Sequence, residues 1–325
     1  MTKPIAIIAG EPNSISSEII FKSWKQKKNF TNKPFFVIGS FQILKEQKKK
    51  LNYKINLKKI NKDLNKKYFN NINKELLVYD IDYKQKKPFE KISTKSNKYI
   101  FNCFNVALKL IKNKKILGFV NCPVSKETLF KNYYQGITEY ISKKTGRENR
   151  EVMIIYNKKL SVAPITTHIP ISQVAKKINQ SQIIKKIKII DSFYKKILKK
   201  KPKFGLLGLN PHAFSPLKNS EEKKIIEKAI KKLVKSKIKI KGPISPDTSF
   251  MFFDKYKFDV LVGMYHDQVL TPFKSLYGFD AINITLGLPF IRISPDHGVG
   301  ESIVGKKIAN PKSLIESIKF FNHIN

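Results

Sequence analysis

The sequence predicts an α/β protein with a largely parallel sheet and helices on both of its faces. Short apolar runs alternate with helical stretches along the chain, a pattern typical of repeated strand–helix units. A length of 325 residues favours two domains, at roughly 150 residues per domain. The composition is 41% hydrophobic, with 23 Phe and 13 Tyr, which is enough apolar material to form a real core.

The individual elements follow from the apolar runs and their spacing. Strands are expected at residues 5–9, 35–39, 76–79 and 117–121, and near 160–166, 204–209 and 259–264. Helices are expected at 15–27, 99–113, 182–200 and 221–236. Residues 45–75 are rich in Lys and Asn, and we interpret them as a solvated, variable surface without a binding role.

The formal net charge is +40, from 64 Lys and Arg against 24 Asp and Glu. Nucleic-acid-binding proteins rely on arginine, yet the chain has only Arg147, Arg150 and Arg292. Lysine is spread along the whole chain, so we interpret the charge as a compositional bias and do not expect nucleic acid as a partner. A non-catalytic, polycationic nucleic-acid-binding protein is the alternative from a different class.

Cysteine content and hydropathy indicate a cytoplasmic protein. No apolar run approaches the ~20 residues of a transmembrane helix, so no membrane partner is expected. The apolar stretch near the N-terminus is too short for a signal-peptide core. The two cysteines, Cys103 and Cys122, cannot form a disulfide framework, which favours a reducing compartment.

Three of the five histidines, His168, His212 and His266, each follow an apolar strand. In open parallel sheets, ligands gather beyond the carboxyl ends of the strands. Three imidazoles at one such edge would suit a divalent metal with an open coordination position. The residues lie far apart along the chain, so three unrelated histidines held by loop hydrogen bonds are the alternative.

Acidic and amide side chains lie near these histidines in the sequence. Asp267 and Gln268 follow His266 and could orient its imidazole from behind. Asp247 could be a general base, a group behind a metal ligand, or a helix N-cap, and the sequence alone favours the cap.

The C-terminal region contains a second set of candidates. Arg292 ends an apolar run at residues 282–292, and together with Lys274 it would suit a phosphate or carboxylate group. As one lysine among many, Lys274 could equally be a plain surface residue. Residues 296–306 are rich in glycine, but the chain has neither a GxGxxG after a strand nor a Walker loop. A nucleotide site there would differ from the common Rossmann type, and a simple turn is the alternative.

Five segments together carry a family resemblance: TTHIP, GLNPHA, GPISPDT, MYHDQ and NITLGLPFIRISPDHG. Over nearly its whole length the chain resembles the 4-hydroxythreonine-4-phosphate dehydrogenase family of vitamin B6 biosynthesis. The segment DHGVGESIVGKKIANP also resembles the adenosine-binding loop of isocitrate and isopropylmalate dehydrogenases. The resemblance implies their fold, two α/β domains with the active site in the cleft between them. We expect domains at 1–130 with 296–325 and at 131–295, the latter with the metal ligands and the dimer interface.

The resemblance also implies a role for each matching residue. The metal ligands would be His168, His212 and His266, holding one Zn, Mg or Co ion. The substrate contacts would be Thr138, Lys274, Asn283 and Arg292, with Asp247 as the catalytic proton acceptor. The NAD or NADP contacts would be His297, Gly298, Gly300, Gly305 and Asn310. The family forms homodimers whose active sites are shared between subunits.

The implied reaction oxidises the C3 hydroxyl of 4-phosphohydroxy-L-threonine with NAD(P)⁺. The product, 2-amino-3-oxo-4-phosphooxybutanoate, decarboxylates to 3-amino-2-oxopropyl phosphate on the way to pyridoxine 5′-phosphate. A metal would acidify the hydroxyl, and the cations of Lys274 and Arg292 would hold the anionic substrate groups.

The chain departs from the family pattern in three places. Ile137 replaces a histidine that contacts the substrate, and Ser14, Ser16 and Ser17 replace small turn residues and a proline. A glycine-rich loop is replaced by residues 214–218, where Lys218 is a candidate to compensate for the lost histidine. These changes motivate a rival hypothesis, a dehydrogenase of a related four-carbon phosphorylated acid such as phosphothreonate or phosphoerythronate.

Overall fold

The protein comprises two compact units in a computed structural model that describes residues 3–60, 64, 66–69, 74–130, 136–214 and 219–324. Unit 1 is Met1–Ile141 with Pro289–Asn325, and unit 2 is Ser142–Leu288. The predicted domains, 1–130 with 296–325 and 131–295, stay a prediction, because compact units need not be independent domains. No helix among the described residues is both long enough and apolar enough to span a membrane.

Unit 1 begins as alternating strands and helices. They are β1 (Ile5–Ile8), α1 (Ser16–Gln26), β2 (Phe35–Gly39), α2 (Phe41–Lys50), β3 (Leu57–Ile60), β4 (Leu76–Asp80), α3 (Asn97–Lys112), β5 (Gly118–Asn121) and α4 (Lys126–Phe130). Helix α5 (Ile137–Lys144) then leads the chain into unit 2.

Unit 2 contains the middle of the chain. Its elements are β6 (Val152–Tyr156), β7 (Ser161–Pro164), α6 (Val174–Lys177), α7 (Gln180–Lys196), β8 (Lys203–Leu207), α8 (Glu227–Lys235), β9 (Lys239–Ile244), α9 (Pro246–Ser249), β10 (Val260–Gly263), α10 (His266–Tyr277) and β11 (Ile282–Leu286). The chain then returns to unit 1 with β12 (Ile291–Pro295) and α11 (Lys312–Phe320).

The sheet of unit 1 is parallel throughout its described ladders. Its strand order is β3-β4-β2-β1-β5-β12, and every neighbouring pair is parallel. All four residues of β1 are completely buried, although their side chains alternate between the two faces. Both faces of the sheet are therefore covered at β1, as in other parallel sheets.

The sheet of unit 2 is mixed. Its strand order is β11-β6-β7-β10-β8-β9. Strands β7, β10, β8 and β9 are parallel, whereas β6 is antiparallel to both β7 and β11. The expected α/β class with a mostly parallel arrangement is confirmed.

Helix α7 illustrates why the predicted helices form. Asn179 caps its N-terminus by accepting a hydrogen bond from the backbone N–H of Gln182. Ile183, Ile187 and Ile190 recur at helical spacing and are completely buried, so one stripe of the helix packs on the core.

Serine side chains close the turn that precedes α1. The Oγ of Ser14 donates to the carbonyl of Glu11 at 2.6 Å and accepts from the backbone N–H of Ser16 at 3.1 Å. These bonds close the turn before the helix and satisfy one of its first N–H groups.

Residues 45–75 lie largely at the surface where the structure describes them, as interpreted, but they contain regular elements that the sequence did not predict. Helix α2 extends to Lys50 and β3 occupies Leu57–Ile60 at the end of the strand order. Lys58 and Lys59 of β3 are exposed and pair with carboxylates of Glu75 and Asp80, so the strand has no apolar alternation to detect. The residues 61–63, 65 and 70–73 lie outside the described part of the chain.

The apolar run at 282–292 contains the whole of β11 and the start of β12. Gly287 lies between them with a φ of +83°, a left-handed conformation that favours glycine. A Cβ at this position would come within 1.9 Å of the carbonyl oxygen of Arg150. Backbone conformation and space both require glycine here.

Replacing Gly287 with alanine should lower the free energy of unfolding by about 3 kcal/mol or more, because the change combines strain with a backbone clash. Gly146→Ala is the matched control, since Gly146 has a φ of +63° but nothing within 4 Å of an added Cβ. It should cost only about 1 kcal/mol, from conformation alone. Urea unfolding measures both, and equal losses would show that the contact with Arg150 is unimportant.

Candidate functional site

The three candidate metal ligands follow three adjacent parallel strands of unit 2. His168 lies four residues beyond β7, His212 five beyond β8, and His266 three beyond β10. These strands are neighbours in the order β7-β10-β8. Their carboxyl ends therefore lie at one edge of the sheet, where the sequence predicted that the histidines would gather.

The loops that carry His168 and His266 are held together by two hydrogen bonds between Thr166 and Met264. Thr166 donates to the carbonyl of Met264 through both its backbone N–H, at 3.1 Å, and its Oγ1, at 2.8 Å. The two imidazole rings lie 5.9 Å apart between centroids. Thr166 is buried, so this connection is shielded from water.

Gln268 links the ends of β10 and β8. Its Oε1 accepts from the backbone N–H of Met264 at 2.6 Å, and its Nε2 donates to the carbonyl of Gly208 at 2.8 Å. The expected role of Gln268 in orienting the imidazole of His266 is not what these contacts show. Asp267, the other residue expected to orient His266, does contact it, with its Oδ1 at 2.9 Å from Nδ1 of the imidazole.

Asp247 contacts His212 and does not cap a helix. The N-cap of α9 is Ser245, so the expected cap role is wrong. The carboxylate of Asp247 lies 3.2 Å from Nδ1 of His212 and accepts a 2.5 Å hydrogen bond from the Oγ of Ser245. The hydrogen bond from Ser245, and then the nearby His212, lower the pKa of Asp247 below its ordinary value.

The donor set suits a divalent ion, although the side chains are not gathered around one point. Among the described residues, no three His, Cys, Asp or Glu side chains are close enough together to hold a metal. Two of the imidazoles, those of His212 and His266, nonetheless have a carboxylate at Nδ1. That contact orients a histidine so that its Nε2 is available for a metal.

Arg292 is the most completely buried charged group among the predicted substrate contacts. It lies on β12 in unit 1 and is 3% exposed. Its Nε donates to Oδ1 of Asn121 at 2.7 Å, and one terminal nitrogen donates to Oγ1 of Thr138 at 3.2 Å. Burial lowers the pKa of Arg292 to about 10 while Glu139 opposes the shift, so the guanidinium stays charged at neutral pH.

Two other predicted substrate contacts, Lys274 and Asn283, lie in unit 2. Lys274 is exposed on α10, eight residues after His266, which is about 12 Å along the helix axis. Asn283 is on β11 opposite Ile155 of β6. Its Oδ1 is buried and has no hydrogen-bond partner among the described residues, as expected of a group that could receive a ligand.

The glycine-rich segment, taken from here on as residues 296–311, is attached to α1 in unit 1. The backbone N–H of Ala309 donates to Oε1 of the buried Glu18 at 2.8 Å, and Nζ of Lys22 donates to the carbonyl of Ala309 at 2.7 Å. Lys22 and Glu18 also form an ion pair at 2.8 Å. The buried carboxylate of Glu18 thereby binds the backbone N–H of Ala309 and also Lys22, which in turn binds the carbonyl of Ala309.

The predicted cofactor contacts occupy this segment. Gly300 and Gly305 have positive φ values of 64° and 77°, and Gly298 has open space around its Cα. Nδ1 of His297 lies 3.1 Å from the carbonyl of Gly298. Oδ1 of Asn310 accepts from the backbone N–H of Lys312 at 2.9 Å.

Sequence reasoning missed Asn121, Glu18 and Lys22 as functional candidates. An asparagine at the end of the buried apolar strand β5 is a detectable signal, since a buried amide needs a partner. The sequence gives no indication of where the partners of Glu18 and Lys22 lie. Lys218, the candidate to compensate for Ile137, lies outside the described residues.

The fold class is that of the isocitrate dehydrogenases. The structure of isocitrate dehydrogenase from Methylococcus capsulatus matches with a TM-score of 0.50 and 12% identity, over 100% of this chain and 86% of that one. The family is shown by a model described as pyridoxal phosphate biosynthetic protein PdxA, which matches residues 31–321. The chain belongs to this family, so the resemblance seen in the sequence is confirmed.

Individual relatives extend over almost the whole chain. A 4-hydroxythreonine-4-phosphate dehydrogenase of Sulfurihydrogenibium sp. is 39% identical over 326 residues, 97% of this chain and 96% of the relative. A D-threonate 4-phosphate dehydrogenase of Salmonella typhimurium is 31% identical over 324 residues, 98% of each. The structure of 4-hydroxythreonine-4-phosphate dehydrogenase from Klebsiella pneumoniae matches with a TM-score of 0.84 and 29% identity, over 99% of both chains.

Replacing Arg292 with lysine should weaken substrate binding, because a planar guanidinium that can donate two parallel hydrogen bonds is exchanged for a compact ammonium group. The loss of one charge-assisted hydrogen bond should lower kcat/KM by roughly 10- to 150-fold. Arg150→Lys is the control, since Arg150 is exposed. If Arg292 were only structural, urea unfolding would show lower stability while the kinetic constants of the folded fraction stayed at wild-type values.

Proposed function

We propose that this chain is an NAD(P)-dependent, divalent-metal-dependent 4-hydroxythreonine-4-phosphate dehydrogenase of pyridoxine 5′-phosphate biosynthesis. The C3 hydroxyl of 4-phosphohydroxy-L-threonine would lose its proton to the protein, while the carbon C3 would transfer its hydrogen as a hydride to the cofactor. The resulting 2-amino-3-oxo-4-phosphooxybutanoate then loses carbon dioxide and takes up a proton at C2 to give 3-amino-2-oxopropyl phosphate. The observation that carries the proposal is the arrival of His168, His212 and His266 at one edge of three parallel strands, in a chain of this family.

The three histidines would hold the metal ion. A bound Zn, Mg or Co ion would lower the pKa of the C3 hydroxyl and stabilise the negative charge that develops on its oxygen. The protein supports this role by engaging Nδ1 of His212 with Asp247 and Nδ1 of His266 with Asp267. A carboxylate at Nδ1 fixes the tautomer and makes the opposite ring nitrogen a better donor.

Cationic side chains would bind the anionic groups of the substrate. Arg292 is orientated in advance by Asn121 and Thr138, so little of its side-chain freedom is lost when a ligand binds. Lys274 is exposed on α10 and would supply an ammonium group to the same substrate. Charges held in fixed positions keep the reacting carbon of the substrate in a productive orientation.

Asp247 is our candidate for the proton acceptor. Its carboxylate is half-exposed and lies beside His212, so it could reach a hydroxyl group held near that imidazole. Its lowered pKa keeps it ionised at neutral pH, which a base requires, but also limits its proton affinity. His212 would stabilise the carboxylate until the proton arrives.

The glycine-rich segment would receive the nicotinamide cofactor, which accepts the hydride. His297, Gly298, Gly300, Gly305 and Asn310 supply backbone and side-chain groups on a loop that Glu18 and Lys22 hold in place. Glycines allow the backbone to approach a bound nucleotide closely. We also propose a homodimer in which both subunits contribute to each active site.

A second candidate substrate is D-threonate 4-phosphate or a similar four-carbon acid. One full-length relative is named a D-threonate 4-phosphate dehydrogenase. In this chain Ile137 occupies the place of the family's substrate-contacting histidine, and it is buried at the start of α5 next to Thr138. An isoleucine there removes a hydrogen-bond donor and would favour a substrate that lacks the group it recognised.

Replacing His168, His212 or His266 with alanine should abolish stoichiometric metal binding and sharply reduce turnover, because two imidazoles bind a divalent ion far more weakly than three. Metal content by inductively coupled plasma mass spectrometry and metal affinity by calorimetry are the measurements. His323→Ala is the matched control, because His323 lies in the C-terminal turn after α11. A triple variant that turns over at the wild-type rate after chelation would contradict the proposal.

Replacing Ile137 with histidine distinguishes the two substrates. If the enzyme acts on 4-phosphohydroxy-L-threonine, a restored hydrogen bond to a charged group should raise kcat/KM for that substrate by roughly 10-fold or more. If it acts on the threonate, the same change should lower activity on D-threonate 4-phosphate and leave the other substrate poor.

Both substrates are assayed with the wild type and the variant, and circular dichroism checks that the buried position tolerates histidine. Unchanged kinetics on both substrates would place residue 137 outside the substrate site, and the proposed contact of Thr138 would fall with it.

A further inference from the structure

The loop that carries His212 has a strained backbone. His212 has a φ of 56° and a ψ of 14°, and Ala213 has a φ of 51°. Two consecutive residues that bear a Cβ thus adopt the left-handed conformation, which is disfavoured for residues other than glycine. The loop also folds back tightly, since a Cβ added at Gly208 would come within 2.6 Å of the Cβ of Ala213. Such a conformation persists only where surrounding contacts hold it.

Glu222 supplies contacts of this kind just before the histidine. Its Oε1 accepts hydrogen bonds from the backbone N–H groups of Leu209, at 3.0 Å, and Asn210, at 2.9 Å. Its Oε2 accepts from Nδ2 of Asn210 at 2.9 Å. Glu222 is only 2% exposed, so these charge-assisted bonds are shielded from water. They fix the backbone where the chain leaves β8.

Pro211 passes this restraint on to His212. The ring of Pro211 fixes its own φ and restricts the preceding residue to an extended conformation. Asn210 accordingly has a φ of −88° and a ψ of 160°, and its carbonyl accepts from the backbone N–H of Ala213 at 3.1 Å. A single stiff residue therefore separates the backbone that Glu222 binds from the histidine.

The side-chain amide of Asn210 is held in one orientation by two carboxylates. Its Nδ2 donates to Oε2 of Glu222 and to Oε2 of Glu221, at 2.9 Å in both cases. An ionised carboxylate only accepts hydrogen bonds, so the amide oxygen of Asn210 could not replace Nδ2 at this position. The loop therefore depends on the charge of these side chains as well as on their shape.

The backbone at Glu222 is itself distorted. Residues Glu222–Ile226 form a π-helical turn ahead of α8, in which the backbone N–H of Glu227 donates to the carbonyl of Glu222. Such turns are rare and recur at functional sites. Ile226 is completely buried, so the turn is anchored in the core of unit 2 while the carboxylate of Glu222 binds the loop.

We propose that Glu222 is a positioning residue for metal binding, which holds the loop of His212 so that its imidazole is presented to the ion. The proposal rests on the proposed function, in which His212 is a metal ligand. Asp247 orients the ring, and Glu222 fixes the backbone that carries it. The loops of the other two histidines are joined by the hydrogen bonds between Thr166 and Met264, so Glu222 has the corresponding role for the third loop.

The experiment titrates Co²⁺ alone into the metal-free, full-length wild type and into Glu222→Gln, and records calorimetry and the visible spectrum of bound Co²⁺. Glutamine keeps the volume of glutamate, but its Nε2 would face Nδ2 of Asn210. If the amide of Asn210 turned over, its oxygen would face the carboxylate of Glu221 instead. The Kd for Co²⁺ should rise roughly 10-fold, as for other residues that support metal ligands. The spectrum should change because one ligand is less well placed.

A rescue variant and a control accompany the titration. In Glu221→Gln/Glu222→Gln, the amide of Asn210 can turn over and accept from both glutamines, so most of the Co²⁺ affinity should return. Glu227→Gln removes the same charge from the first turn of α8, at a partly exposed position, and should leave the Kd unchanged. A merely structural role for Glu222 predicts lower stability in urea with wild-type Co²⁺ affinity in the folded protein.

Hydrogen exchange tests the contact without any metal. In a peptide that covers residues 208–214, the backbone amides of Leu209 and Asn210 should exchange faster in Glu222→Gln than in the wild type. The control Glu227→Gln should exchange at the wild-type rate. Faster exchange with unchanged Co²⁺ affinity would show that Glu222 holds the loop without serving the metal, which would overturn the inference.

His212→Ala separates failure of this inference from failure of the proposed function. If His212→Ala loses Co²⁺ binding while Glu222→Gln binds it like the wild type, only the role of Glu222 is wrong. If His212→Ala also binds Co²⁺ like the wild type, the proposed metal site is wrong and the role of Glu222 is wrong with it. A double variant that binds no better than Glu222→Gln would likewise contradict the proposed dependence on Asn210.

Discussion

The parallel hydrogen bonding of β7, β10 and β8 is the constraint on which the candidate site depends. Val260 of β10 pairs with Ser161 on one side and with Phe204 on the other, so the three strands advance in the same direction and in register. Residues far apart in sequence therefore arrive at one edge of the sheet. Gln268 then ties the ends of β10 and β8 together through backbone groups. The ladder determines where the loops that carry the histidines leave the sheet. Carboxylates at Nδ1 then orient the rings of His212 and His266.

Buried charge imposes a second constraint, in unit 1. Arg292 and Glu18 are almost completely buried, and a buried charge is tolerated only with good partners. Asn121 and Thr138 supply acceptors for Arg292, while Ala309 and Lys22 supply donors for Glu18. The same contacts fix the guanidinium and the glycine-rich segment. A guanidinium suits position 292 because burial lowers the pKa of Arg292 only to about 10, so the group remains charged at neutral pH.

The predicted fold class and most of the predicted strands and helices are confirmed, because periodic apolar residues reveal which stretches are buried. β3 was missed because its outward residues Lys58 and Lys59 are balanced by acidic partners from elsewhere. At the site, the sequence indicated the strand ends that carry the histidines. Of the roles it left open for Asp247, the favoured one, a helix cap, was wrong, because Ser245 is the N-cap and Asp247 contacts His212. Of the two residues expected to orient His266, Asp267 contacts its imidazole, whereas Gln268 bonds to Met264 and Gly208. A short polar side chain forms hydrogen bonds with whichever groups lie within a few ångströms. The tertiary fold sets the positions of those groups, so the sequence alone does not reveal them.

The abundance of lysine acquires chemical meaning only where the fold changes its solvation. A lysine on the surface keeps its ammonium group in water, and its stem can cover apolar surface at little electrostatic cost. Lys27 cannot do this, since α1 ends where Trp24 and Phe35 enclose it and burial lowers its pKa to about 8. A compositional bias can therefore supply many identical groups from which the backbone selects a few for a distinct chemical environment.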